Sequence, residues 1–334
     1  HSDNPAGWKA SRIEHFEGRS SPISARRSTP NDVKARDTLA FVRTTSHLCY
    51  RTIDESERQK RTMLIDTHAH LDFKDFEKDL DETVRRATDA GVGIIVNPGT
   101  NVSSSRKAVA IAERFHCVYA AAGIHAHDVA NYLEESIDAI ADIAQHPKVV
   151  AIGECGLDFF RDYAPRGKQL EVFRDQIRLA LRLKKPLVVH SRGAEEETLQ
   201  VLTEEKAELV GGVLHCFGGS PDQALRAQKM GFAVGVGGTL TYSRSDRRDF
   251  VANVDIHSIV LETDAPFLPP QPHRGKRNEP AWLPLVAERL AETRSLPLDE
   301  VHRITSSTAE ALFRIGRAGF WRASSSSTTD PVSR

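Results

Sequence analysis

Cysteine is scarce in this 334-residue chain: Cys49, Cys117, Cys155 and Cys216 are scattered and form no C-x-x-C. Such spacing argues against a disulfide framework and for a reducing compartment, which we take to be the cytoplasm. Excess charge is also lacking. With 45 Lys and Arg against 46 Asp and Glu, the formal charge of −1 gives no global pull towards nucleic acid or anionic lipid. Any polyanion site must therefore be a local patch. No apolar run reaches the length of a membrane span, so no membrane partner is expected. Methionine is missing from the first 62 residues, and so is any sustained apolar period.

That stretch is rich in Ser, Arg, Thr and Pro, and Met63 stands directly before the first apolar run. Arg26, Arg27 and Arg36 suggest a targeting segment. Glu14, Glu17, Asp32, Asp37, Asp54, Glu55 and Glu57 speak against one, because such segments are poor in acids. The expectation is a disordered or non-native N-terminal extension over 1–62, a single domain over 63–320, and a disordered polar tail over 321–334 that holds Ser324-Ser325-Ser326-Ser327. A hydrophobic content of 40% and a charged content of 27% suit a globular protein of one large α/β domain or two smaller ones.

From Met63 onward, short apolar runs alternate with helical stripes. The runs are Leu64–Ile65, Gly91–Gly99, Val118–Ile124, Val149–Glu154, Leu187–His190, Gly212–His215, Phe232–Val236 and Ile259–Asp264. Phe76, Leu80, Val84 and Ala87 recur at three- and four-residue steps, as do later sets through Ile177, Leu290 and Phe313. Ser220, Pro221 and Gly231 bracket the best-marked helix. Eight strands alternating with helices predict parallel pairing through right-handed crossovers.

Polar residues then decide between an open sheet and a closed one. His68 and His70 follow the first run at the alternate positions that share a strand face. Glu154, His190, His215 and Asp264 likewise stand at the ends of their runs. An open sheet would spread those ends over tens of ångströms, whereas a (β/α)8 TIM barrel gathers them at one mouth. Four imidazoles and two carboxylates exceed what one ion with an open position uses, and suit two divalent cations with Glu154 as the bridge. The mixed donors leave Mg, Mn and Zn all open. Glu154 and Asp264 are the catalytic candidates, with Asp264 as base towards an activated water. His125 and His127 repeat the H-x-H spacing and fit a substrate oxygen. Arg161, Arg192, Arg274, Lys276 and Arg277 fall on loops after strand ends and match phosphate. Phe159 and Phe160 offer a stacking face or pack beneath their loop.

These residues form a series. Ile65-Asp66-Thr67-His68-Ala69-His70-Leu71-Asp72, Gly123-Ile124-His125-Ala126-His127 and Gly153-Glu154-Cys155-Gly156-Leu157-Asp158 are followed by His190-Ser191-Arg192 and His215-Cys216-Phe217-Gly218-Gly219. Glu262-Thr263-Asp264-Ala265-Pro266-Phe267-Leu268 and Arg274-Gly275-Lys276-Arg277-Asn278-Glu279-Pro280 complete it. Over roughly 63–315 the series resembles the TatD-type metal-dependent deoxyribonucleases of the amidohydrolase superfamily. The resemblance implies a TIM barrel, a divalent-metal site on His68, His70, Glu154, His190, His215 and Asp264, and hydrolysis of DNA phosphodiesters, often 3′ to 5′ at single-stranded ends. Ala126 and Gly193 depart from the family's usual proline and asparagine. The alternatives are a small-molecule ester, amide or lactone hydrolase of the same superfamily, and a non-catalytic protein on the same barrel.

Overall fold

A computed structural model describes residues 63–161, 163–243 and 247–315. The expected extension over 1–62 and tail over 321–334 lie outside them. Each apolar run is a strand: β1 Leu64–Asp66, β2 Val92–Pro98, β3 Val118–Ala122, β4 Val149–Asp158, β5 Leu187–Arg192, β6 Gly212–Leu214, β7 Phe232–Val236 and β8 Ile259–Leu261. The helices are α1 Leu80–Asp89, α2 Val102–Arg114, α3 Glu134–Ile143, α4 Arg166–Leu183, α5 Glu195–Glu204, α6 Pro221–Lys229, α7 Arg247–Asn253, α8 Leu283–Arg294 and α9 Leu298–Phe313.

Neighbouring strands pair in parallel in chain order from β1 to β8. Beyond the strand ends the seam is closed by backbone bonds. Thr67 donates its N–H to the Leu261 carbonyl at 3.0 Å, Asp264 to His68 at 2.8 Å, and His70 to Ala265 at 2.8 Å. The eight strands thus form the (β/α)8 barrel that the strand-end residues implied. Ile65, Ile94, Val188, Val213 and Val260 fill its interior together with Phe313 and Ile315. Leu64, Ile95, Ile152, Leu187 and Val189 belong instead to the outer core, which they share with helix residues such as Phe173 and Ile177 of α4. Strands covered on both faces read as continuous apolar runs.

Three local features differ from the sequence reading. Phe76 belongs to a separate 3-10 turn, Lys74–Phe76, and the helix starts at Leu80. The short helix α7 escaped notice because only Phe250, Val251 and Val254 around it are buried, too few for a stripe. Strand β4 runs on past Glu154 to Asp158 through two glycines. Gly153 and Gly156 adopt φ of +147° and +132°. A Cβ on Gly156 would lie 2.0 Å from the His190 carbonyl, so these glycines let β4 press against β5 rather than end the strand. The α6 cap is as expected: Ser220 accepts from Gln223 N–H, and the Gln223 side chain returns to Ser220 N–H.

Asp66 ties the two ends of the barrel together. Its Oδ1 accepts from the N–H groups of His68 (3.2 Å) and Thr263 (3.0 Å), and its Oδ2 from the Thr263 hydroxyl (2.6 Å). Burial raises this carboxyl to about 7 against those bonds. Asp66→Ala strands three buried donors, and we expect a stability loss of about 3 kcal/mol in guanidinium unfolding. A loss below about 0.5 kcal/mol would show that the seam does not depend on it.

Candidate metal centre

His68 and His70 lie just past β1 on an extended segment whose Ala69 bridges Ala265. Glu154 and His190 sit within β4 and β5, His215 follows β6, and Asp264 stands three residues after β8 with φ of +55°. All six converge. The Nε2 atoms of His68 and His70 are 3.2 Å apart, and Glu154 Oε2 lies 3.3 and 3.4 Å from them. Asp264 Oδ1 is 3.8 and 3.7 Å from the same two nitrogens. Glu154 Oε1 turns the other way, 3.0 Å from His215 Nε2 and 3.2 Å from His190 Nδ1. Stacking of the His68 and His215 rings at 3.9 Å fixes both. Neutral imidazole nitrogens brought this close, with carboxylate oxygens beside them and His68 Nδ1 unpartnered among the described residues, suit cations better than hydrogen bonds.

His125 reaches the same carboxylate, its Nε2 being 3.3 Å from Glu154 Oε1, but its other nitrogen sets its role. His125 Nδ1 accepts the backbone N–H of His127 at 3.1 Å. A neutral His125 therefore carries its proton on Nε2 and donates there. His190 is fixed from the opposite side. Its Nε2 lies 3.2 Å from Asp158 Oδ2, so an Nε2–H donates to that carboxylate and Nδ1 is left for the centre.

A family model described as TatD related DNase matches residues 65–314. The chain belongs to the TatD family. It is 41% identical to the uncharacterised metal-dependent hydrolase YabD of Bacillus subtilis over 254 residues, which is 76% of this chain and 100% of YabD. It is 35% identical to the 3′-5′ ssDNA/RNA exonuclease TatD of Salmonella typhimurium over 258 residues, 75% of this chain and 99% of that one. Among solved structures, the TatD homologue YjjV of Escherichia coli matches with a TM-score of 0.73 and 35% identity, covering 77% of this chain and 100% of YjjV. The chain is thus a metal-dependent hydrolase of this family, and its candidate ligands lie at the barrel mouth.

Other residues that the strand-end pattern brought forward are placed unevenly. His127 donates to Asp158 Oδ2 at 2.8 Å and stands beside the centre, half-buried. Arg192 lies at the exposed end of β5, with its guanidinium 4.6 Å over the Phe160 ring. Arg274 is exposed and stacks over Tyr242 at 4.6 Å, and Lys276 is exposed beside it in the chain. Arg277 is engaged elsewhere: it holds Asp79 with both guanidinium nitrogens, at 2.7 and 2.8 Å. Its pairing in a network with Arg86 and Glu279 gives it a structural task. Arg161 donates to the Tyr163 hydroxyl at 3.2 Å.

The sequence reading assigned no role to Asp158, Glu262 or Asn278. Asp158 and Glu262 stand four residues after Glu154 and two before Asp264, even steps that put acids on one strand face, so the signal was present. Glu262 accepts the Cys216 N–H beneath His215, and burial with the Asp264 charge raises it well above the usual carboxyl range. Asn278 donates to the carbonyls of Thr263 (2.7 Å) and Phe267 (2.6 Å) and so pins the Asp264 loop. Nothing in its spacing announced that.

Electrostatics separate the two central carboxylates. Burial pushes Glu154 up, but His125, His215 and His68 together outweigh it and hold the group well below the usual range. Burial and the Glu154 charge push Asp264 well above it. Burial, with the neighbouring imidazoles, lowers His68 to about 4 and His70 to about 3, the neutral forms that ligation needs. Burial also opposes charge on His190, but Asp158 and Glu154 prevail and raise it to about 9.

A raised folded value means that the His190 contribution is fully present below about 6.5 and is lost as pH climbs through about 9. In EDTA-treated protein we expect the His190 imidazole to titrate near 9 by NMR, with stability falling between those limits. A midpoint near 6.5 would contradict the Asp158 and Glu154 attraction.

Proposed function

We propose that the chain hydrolyses phosphodiester bonds of DNA, removing nucleotides from single-stranded 3′ ends, with two divalent cations held on either side of Glu154. The observation that carries the reading is the division of labour at that carboxylate: Oε2 faces His68 and His70, and Oε1 faces His190 and His215. The first position would be completed by Asp264. Nitrogen-rich donors with carboxylates suit Zn or Mn, and the oxygen donors leave Mg open. Cations bound there would stabilise charge on a phosphoryl group and lower the pKa of a water beside them.

The chain's own groups supply the rest. Asp264, whose proton affinity burial and Glu154 raise, takes the proton of the nucleophile. His125 offers its Nε2–H to a phosphoryl oxygen. Arg192, Arg274 and Lys276, exposed at the rim, attract the backbone of the strand. Support for a nucleic acid substrate comes from the Salmonella relative named as a 3′-5′ ssDNA/RNA exonuclease. The thiols of Cys117 and Cys155 fit a reducing compartment such as the cytoplasm.

The test is a 5′-labelled single-stranded oligonucleotide incubated with EDTA-stripped protein to which Mg, Mn or Zn is returned. We expect stepwise shortening from the 3′ end only with metal. No shortening with any of them, beside turnover of an ester or lactone, would favour the small-molecule hydrolase. Asp264→Asn keeps the side chain's shape and a residue that tolerates its left-handed backbone. It should slow turnover by about 10²–10⁴ with an unchanged circular dichroism spectrum, and near-normal turnover would unseat Asp264 as base.

A further inference from the structure

Phe159 and Phe160, adjacent in the chain, have opposite surroundings. Phe159 packs half-buried against the core, with the Arg166 guanidinium 4.5 Å over its ring. Phe160 is 68% exposed, an unusual cost for a large aromatic. Its backbone is nevertheless fixed. Its N–H donates to Asp158 Oδ1 at 3.1 Å, and the other oxygen of that buried carboxylate takes His190 and His127. One carboxylate therefore separates the ring from the metal centre. Arg192, two residues after His190, places its guanidinium 4.6 Å from the ring centroid. Gly193, at φ of +62°, borders the Phe160 backbone without a side chain, and a Cβ there would lie 3.4 Å from the Phe160 Cβ.

An exposed ring on a rigid mount, with a cation beside it and anion chemistry next door, has the parts that single-strand binding uses. We propose that Phe160 is a nucleobase platform. The base of a nucleotide whose phosphate lies at Glu154 stacks on the open part of the ring, while Arg192 takes an adjoining phosphate. This rests on the nucleic acid reading above and deepens it. Recognition by stacking is indifferent to base identity, since every base has a π-face. A stacked platform therefore predicts a preference for bases over no base, without preference among sequences.

The experiment measures binding by fluorescence anisotropy, so that it is separate from turnover. The full chain carrying Asp264→Asn, loaded with Mn, is titrated with a labelled oligo-dT and with an abasic strand of equal length. Adding Phe160→Ala should weaken oligo-dT binding about ten-fold, leave the abasic strand unchanged, and be rescued by Phe160→Trp. Equal affinity of the Phe160→Ala protein and its parent for oligo-dT would overturn the platform and leave the nuclease reading standing. So would an equal loss for both strands, which would trace to charge or folding. A parent that binds neither strand would overturn both readings together.

Discussion

A carboxylate buried at the barrel mouth and kept ionised is the constraint on which this structure turns. An unpaired charge in the position of Glu154 is too costly to bury, and here imidazoles from four regions of the chain offset that cost. His68 arrives after β1, His125 after β3, His190 on β5 and His215 after β6. Only a closed barrel of parallel strands delivers all four to one point, and the glycines of β4 let Glu154 reach it. Fold and charge balance therefore specify one another.

Around this centre, further carboxylates hold the candidate ligands in place. Asp66 binds the backbone of His68 and of Thr263, so that the two ends of the barrel share one anchor. Asp158 spends one oxygen on His190 and His127 and the other on the N–H groups of Phe160 and Arg161. The direction of His190 Nδ1, towards Glu154, and the exposed face of the mouth are thus set by a single side chain. Outer partners of this type fix both tautomer and ring direction, and losing one disturbs the centre without touching a ligand.

Much of this was legible in the sequence because strand ends carry chemistry in such barrels. Eight apolar runs marked the strands, and the alternating residues His68 and His70 marked their common face, although the strand proper stops at Asp66. Less legible were features set by long-range partners. The pairing of Arg277 with Asp79 spans 198 residues, and no local pattern distinguishes it from a free phosphate-binding arginine. Likewise Phe160 and Phe159 are equivalent by composition, and only the fold exposes one and covers the other. The tautomer of His125 depends on a backbone N–H two residues away, a bond that the folded loop sets and no spacing announces.

The most direct measurement is anomalous diffraction from crystals soaked in Mn or Zn. The account predicts two peaks flanking Glu154, one shared with His68, His70 and Asp264 and the other with His190 and His215, with His125 Nε2 bound to neither. A single peak, or an ion ligated by His125 in place of His190, would contradict it.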